Sequence, residues 1–410
     1  MSKKVLIIGF VWPEPKSSAA GTRMMQLIEA FQSSKYQVTF ASPCAKSENA
    51  FDLKSIDVHP TEIELNSSSF DHFVKKLRPD VVMFDRFMME EQFGWRVAEH
   101  CPHALRILDT EDLHCLRKGR SRAFKEGQPF SEAYLYNDLA KREIASIFRC
   151  DLSLIISEVE MHLLTTKFKV DKALLHYVPF MIDAVESNTG LPKFKERQHF
   201  VTIGNFLHEP NYRSVVHLKE NIWPFIKKQL PEAQMHVYGA YSSEKVHQLH
   251  KESDRFLVKG FAQDVNIIMQ QARVCLAPLQ FGAGLKGKLF DAMVNGTPCV
   301  TTNIGAEGVY GDLQPNGFIE DDTEKFVYSA IELYTNHEVW SERQEFGFEV
   351  INKRFRKNTL SRKLLSKIEQ TLENLTQHRL HNFMGAMLQH HSLQSTKFMS
   401  RWIEEKNKID

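Results

Sequence analysis

The chain has 410 residues, and its 52 Lys and Arg nearly balance 51 Asp and Glu, for a net charge of +1. A hydrophobic share of 42% and a charged share of 25% are ordinary globular values, so two domains are expected, each able to bury a core. The balance argues against a surface devoted to nucleic acid.

Residues 5–8 form a continuous apolar run, the pattern of a strand covered on both faces. A Pro- and Ser-containing loop follows to Gly21. An amphipathic helix then places Met24, Leu27, Ile28 and Phe31 on one side, and residues 37–41 read as the next strand. Strand, helix and strand make the unit of a doubly wound sheet. The alternation continues with helix 69–77, strand 80–84, helix 90–99, strand 104–108, a charged and mostly helical stretch 117–149, strand 151–156, helix 158–168 and strand 174–178. The polar segment 184–198 holds Gly190 and Pro192 and reads as a linker. Alternation then restarts with strand 200–203, helix 212–230, strand 234–238, helix 242–252, strand 256–258, helix 265–270, strand 274–278, helix 286–295, strand 299–302 and helix 323–335. The remainder is helical throughout.

The predicted fold is α/β. Two doubly wound Rossmann-like domains, 1–185 and 199–340, face a cleft, and a helical tail, 341–410, packs back on the first. No run approaches the roughly 20 apolar residues of a membrane-spanning helix. The apolar run after Lys3-Lys4 is too short for a secretory signal. The six cysteines contain no C-x-x-C pair. A cytoplasmic protein with reduced thiols and no metal site is expected, and peripheral contact with a membrane surface stays open.

Ligands of open parallel sheets bind beyond the carboxyl ends of the strands, where helix starts offer free N–H groups to anions. The most informative loop of this kind is Pro278-Leu279-Gln280-Phe281-Gly282-Ala283-Gly284-Leu285-Lys286-Gly287-Lys288, which enters a helix carrying Asp291. Gly282 and Gly284 allow close backbone approach. Lys286 and Lys288 put positive charge at a helix start, which opposes the dipole unless an anion is bound. That conflict points to a phosphate. Asp291, about one turn further on, is suited to ribose hydroxyls.

The order of these residues, followed by Asn295-Gly296-Thr297-Pro298, resembles the nucleotide-sugar signature of glycosyltransferase family 4, retaining enzymes of the GT-B fold. Asp291-Ala292-Met293, Gly296-Thr297-Pro298 and the segment Thr301 to Gly308 carry the match. Ile203-Gly204-Asn205-Phe206 with Pro210-Asn211, the loop Pro13 to Arg23, and Asp151 to Ser157 with Glu160 extend it over roughly residues 3–335. The resemblance implies a hexosyltransferase of glycan biosynthesis that uses a nucleotide diphosphate sugar, UDP or GDP, with no cofactor and no metal. It implies a donor site of Gly21, Gly204, Asn205, Gly282, Ala283, Gly284, Leu285, Lys286, Lys288 and Asp291. Lys286 is also expected to act in catalysis by stabilising the leaving diphosphate. The acceptor is left open among glycan, lipid-linked sugar, protein and nucleic acid.

Two departures from the family stand out. The first of its two acids falls at Ala283, and the second is Asp291 in place of Glu. The basic pair after the first strand of the second half is replaced by Asn205 and Pro210-Asn211, which leaves Lys286 and Lys288 to carry the diphosphate charge. A nucleotide-sugar-binding protein without turnover, and a nucleotide-sugar epimerase, are the alternatives.

Asp109-Thr110-Glu111-Asp112-Leu113-His114 follows a predicted strand. The resemblance assigns it to the acceptor or the donor sugar, with Asp109 and His114 as catalytic candidates, an imidazole being suited to a sugar hydroxyl. Equally, Asp109 or Thr110 would cap a helix. The basic run Arg117-Lys118-Gly119-Arg120-Ser121-Arg122 reads either as a solvated face or as a surface for an anionic acceptor. His378, His381, His390 and His391 are expected to be solvated.

Overall fold

A computed structural model describes residues 2–186 and 190–408. Seven parallel strands form the first sheet: β1 (Lys4–Ile8), β2 (Gln37–Ser42), β3 (His59–Glu62), β4 (Val81–Asp85), β5 (Leu105–Asp109), β6 (Leu152–Ile155) and β7 (Leu175–Tyr177), in the order β3-β2-β1-β4-β5-β6-β7. Six more form the second: β8 (Gln198–Ile203), β9 (Met235–Tyr238), β10 (Phe256–Gly260), β11 (Ala272–Ala277), β12 (Cys299–Thr301) and β13 (Gly317–Ile319), in the order β10-β9-β8-β11-β12-β13. The strand order therefore reverses between β1 and β4 and again between β8 and β11. Those are the two places where a doubly wound sheet opens a crevice.

Each sheet is buried on both faces. Leu6, Ile8, Val82, Phe84 and Leu108 pack to one side of the first sheet, and Val5, Ile7, Val81, Met83 and Ile107 to the other. This alternation within wholly apolar strands is why they read as continuous runs. In the second sheet Val201, Cys275 and Ala277 face one layer, and Phe200, Val274 and Leu276 the other.

The departures from the predicted elements have local causes. Strands β3 and β13 were not expected. Both are short edge strands; β3 has no fully buried residue and carries Pro60, whose missing donor an edge tolerates. The single helix expected over 212–230 is Glu209–His217, a π-helical turn at Leu218–Ile222 and Trp223–Gln229, broken where Pro224 removes a backbone donor. Only Glu244–His247 of the helix expected over 242–252 forms. Of the linker read at 184–198, residues 187–189 lie outside the described residues.

The second domain does not end at 340. Helix His337–Arg354 buries Trp340, Phe348, Val350 and Ile351, and the last two join the layer that holds Met293. The chain crosses at Phe355, where Ile182 N donates to Phe355 O and Lys357 N to Ile182 O, both at 2.8 Å. Helix Lys357–Glu373 then places Leu364 and Ile368 against the first domain's layer of Leu27 and Phe31. His378 is not solvated: its Nε2 lies 2.6 Å from Asp151 O.

Candidate active site

Between the domains lies a cleft of about 1100 Å³. It is lined by the loops after β1, β4 and β5 on one side and after β8, β9, β10 and β11 on the other. The switch points of both sheets thus open into one cavity.

On the second domain's wall, β11 ends at Ala277 and the helix Gly287–Val294 begins ten residues later, with Lys286 at its N-cap and no side-chain cap. Among the described residues Gly287 N and Lys288 N have no hydrogen-bond acceptor. Lys286 is almost wholly buried; its Nζ donates to Gly284 O at 2.6 Å and Ala283 O at 3.1 Å. Desolvation lowers its pKa to about 8, with Glu307 opposing the shift and Arg120 adding to it. Lys288 Nζ donates to Asn211 Oδ1 at 3.1 Å, and burial lowers its pKa as well. Asp291 lines the same cleft, and burial raises its carboxyl to about 7 against the pull of Lys288.

Gly284 holds φ at +64°, and a Cβ there would fall 2.8 Å from Asp112 Cβ. Only glycine satisfies both demands. Ala283 and Leu285 are buried, the first packing into the other domain's core. Gly282 offers its carbonyl to Arg120 Nη1 at 2.8 Å. Gly204 and Asn205 line the cleft after β8. Asn205 accepts from Leu207 N through its side chain and from Asn211 Nδ2 through its carbonyl, both at 2.9 Å, which shapes the loop that presents Asn211 to Lys288. Gly21, in helix Ala19–Ser33, lets that helix close on the Glu14 backbone; a Cβ would lie 2.4 Å from Glu14 O.

The first domain's wall is charged. Asp109 does not line the cleft. It is fully buried beneath it and paired to Arg23, whose Nη2 donates at 2.8 Å and Nε at 3.1 Å. Arg23 Nη1 also donates to Val178 O. The candidate catalytic role of Asp109 is therefore corrected to holding Arg23, because no free carboxylate atom of it reaches the cavity. Neither Asp109 nor Thr110 caps the following helix. Thr110 Oγ1 donates to Leu154 O, and the start of helix His114–Lys125 is satisfied by the Glu143 carboxylate, which accepts from His114 N and Cys115 N at 2.9 Å each.

His114 does reach the cleft. Its Nδ1 lies 3.2 Å from Asp112 O, and its ring meets Phe87 edge-on at 5.5 Å. Beside it stand Arg86 and Glu111, both non-glycine residues with φ above +60°. Burial raises the Glu111 carboxyl to about 8, helped by Asp109 and opposed by Arg86. Positive φ in residues of this size signals imposed strain, as often found at functional sites.

The basic run is a solvated face only at Lys118 and Arg122, and its other two charges are paired. Arg117 forks onto Asp112 at 2.7 and 2.8 Å. Arg120 crosses to the second domain and forks onto Glu307 at 2.6 and 2.8 Å. Glu160 completes the crossing: one oxygen accepts from Leu113 N at 3.1 Å and from Gly284 N at 2.8 Å, and burial raises its carboxyl to about 8. The roles of Arg120 and Glu307 had no local signal, since each depends on a partner 187 positions away in the chain.

Residues 197–336 match the family model described as glycosyl transferases group 1. No curated protein sequence matches the chain. Among solved structures, Anabaena HepE in complex with UDP and glucose aligns with a TM-score of 0.68 at 10% identity, over 90% of this chain and 99% of that one. Sucrose-phosphate synthase from Thermosynechococcus elongatus aligns with 0.65 at 14%, over 90% and 99%. A mutant of S. aureus TarM in complex with fondaparinux, alpha-GlcNAc-glycerol and UDP aligns with 0.57 at 12%, over 72% of this chain, which spans only 57% of that protein. At these identities the likeness establishes the fold alone. The chain has the GT-B fold of the glycosyltransferases it resembles, and its residues 197–336 match the group 1 glycosyltransferase family model.

Proposed function

We propose that the protein is a retaining transferase that moves a hexose-type sugar from a UDP- or GDP-sugar to an acceptor held by the first domain. The observation that carries this reading is the start of helix Gly287–Val294: two backbone donors without acceptors and two buried lysines, in a cleft that both sheets enter. A diphosphate at this helix start takes the N–H groups of Gly287 and Lys288 and the charge of Lys288, and draws Lys286 from its carbonyl partners. These groups stabilise the negative charge that grows as the bond between sugar and phosphate breaks. Asp291, which lines the same cleft, supports this reading as the acceptor for the ribose hydroxyls. In the tautomer selected by its bond to Asp112 O, His114 leaves Nε2 to accept from a sugar hydroxyl. The acceptor oxygen bonds to the anomeric carbon on the face the diphosphate leaves, and its proton passes to the departing phosphate oxygen. That HepE and TarM were solved with UDP agrees with a UDP-sugar donor.

Ala283 favours one second reading. The position is buried against the first domain and supplies no carboxylate to the donor sugar, as a protein that binds nucleotide sugars without turnover would tolerate.

Thermal unfolding with UDP, GDP, ADP, TDP and CMP tests the site. A ligand at 100 times its dissociation constant adds about 2.7 kcal/mol. One diphosphate should shift the transition, and Lys288→Ala should abolish most of that shift. Absence of any shift in folded protein overturns the donor site. A shift without transfer or donor hydrolysis favours the non-catalytic reading.

A further inference from the structure

The last helix, Phe383–Lys406, is two-faced. Its inner side is fixed to the first domain. Gly385 leaves so little room that a Cβ would fall 2.1 Å from Phe148 O. Ser400 is buried and accepts from Arg96 Nη2 at 3.1 Å, Lys397 pairs with Glu99 at 2.7 Å, and Glu404 accepts from Ser68 N at 2.9 Å. Its outer side carries Phe383, Met384, Met387, Phe398, Met399 and Trp402, with Phe383 77% and Trp402 61% exposed. Met384 and Trp402 are 18 residues apart, about five turns, and so point the same way. No other element of the described chain exposes so many large apolar side chains.

Arg401, Lys406, Lys408, His390 and His391 are exposed beside this row, with Glu405 among them. Lys397 and Arg401 reach Glu99 of the first domain at 2.7 and 3.7 Å and Lys408 pairs with Glu405 at 2.6 Å, which leaves a modest cationic excess. Lys406 Nζ stands 5.6 Å from the Trp402 ring centre. Exposed Met, Phe and Trp flanked by Lys, Arg and His suit the boundary between acyl chains and anionic headgroups, where tryptophan and long cationic side chains each keep one end wet. No described helix is long and apolar enough to cross a membrane, so this one would lie along the surface.

We infer that the outer face of helix Phe383–Lys406 docks the protein on an anionic phospholipid surface. The helix is mounted on the domain assigned to the acceptor, so a membrane-borne acceptor is the corollary; that clause alone rests on the proposed function.

Full-length protein is sedimented with vesicles of phosphatidylcholine alone and of phosphatidylcholine with phosphatidylglycerol. Binding to the second kind is expected, weakening as salt screens the cations. The double substitution Phe398→Glu, Trp402→Glu should lower it by about tenfold or more. Both side chains are exposed, so the unfolding transition and the nucleotide-induced shift should stay as in the parent; should the pair disturb folding, Phe383→Ser with Met384→Ser serves instead. No binding to phosphatidylglycerol vesicles at low salt overturns the inference, as does equal binding by parent and variant. Light scattering that shows a dimer dissolved by the same substitutions, without vesicle binding, assigns the face to self-association and also overturns it.

Discussion

On the second domain's wall, most residues of the proposed donor site fall within ten consecutive positions, Gly282 to Asp291. On the first domain's wall, Asp85 and Arg86 come from the end of β4, Glu111, Asp112 and His114 from the loop after β5 and the helix start beyond it, and Arg117 from that helix. The one wall is made mainly of backbone: a left-handed glycine, a helix start and two lysines folded onto nearby groups. The other is made of side chains whose charges are paired, Arg117 with Asp112 lining the cleft over the buried pair Arg23 with Asp109, while Arg120 reaches across to Glu307. A wall of backbone suits a ligand part that never changes, the diphosphate. A wall of paired side chains can be altered charge by charge, which suits the part that differs between enzymes, the acceptor.

Breaking the paired wall should do the greatest damage to folding. Arg23→Ala leaves the buried Asp109 without its partner, and a loss of about 3–5 kcal/mol is expected in urea unfolding. If the loss is below about 1 kcal/mol, the pair is not what fixes that wall. On the backbone wall, Gly284→Val forces a branched residue to positive φ and drives its Cβ at Asp112. About 2–3 kcal/mol of stability should go, together with the nucleotide-induced shift. Joining the walls, Arg120→Ala should cost about 1–2 kcal/mol of transition-state stabilisation, read as a roughly tenfold fall in kcat/KM. The swap Arg120→Glu with Glu307→Arg should recover part of it; absence of any recovery would show that the ion pair across the cleft is not what the rate depends on.

The smallest effect is one of pH. Lys286 has a folded pKa of about 8, lowered by burial from 10.5. It is charged below that value and neutral above it. Affinity for a nucleoside diphosphate should therefore fall by a few fold as pH rises from about 7 to about 9. Lys286→Arg should flatten the profile, since a guanidinium keeps its proton throughout. For stability the same depressed pKa acts with the opposite slope: its contribution is present above 10.5 and lost as pH falls through about 8.

The same contrast explains what could be read from the chain. Gly282, Gly284, Lys286, Lys288 and Asp291 stood out because a strand end, glycines, lysines and a helix start are neighbours in sequence as well as in space. The central strands were legible for a similar reason, since burial on both faces leaves a continuous apolar run. Asp109 was misplaced because its partner, Arg23, lies 86 positions away, and nothing local tells a carboxylate that faces a cavity from one that supports its floor. Arg120 looked like one charge in a basic run until Glu307, 187 positions on, gave it an address. Edge strands β3 and β13 lack the hydrophobic signal because so little of them is buried.

One contact sets how the two domains must part. Gly287 opens one helix and Ala19 another, and a Cβ on Gly287 would fall 2.7 Å from Ala19 Cβ. Each helix start carries about half a positive charge, so the closed cleft brings two like poles together. An anion between them turns that repulsion into attraction and serves as a keystone. On the proposed function the spent diphosphate is that keystone, and its removal and the separation of the domains become one event.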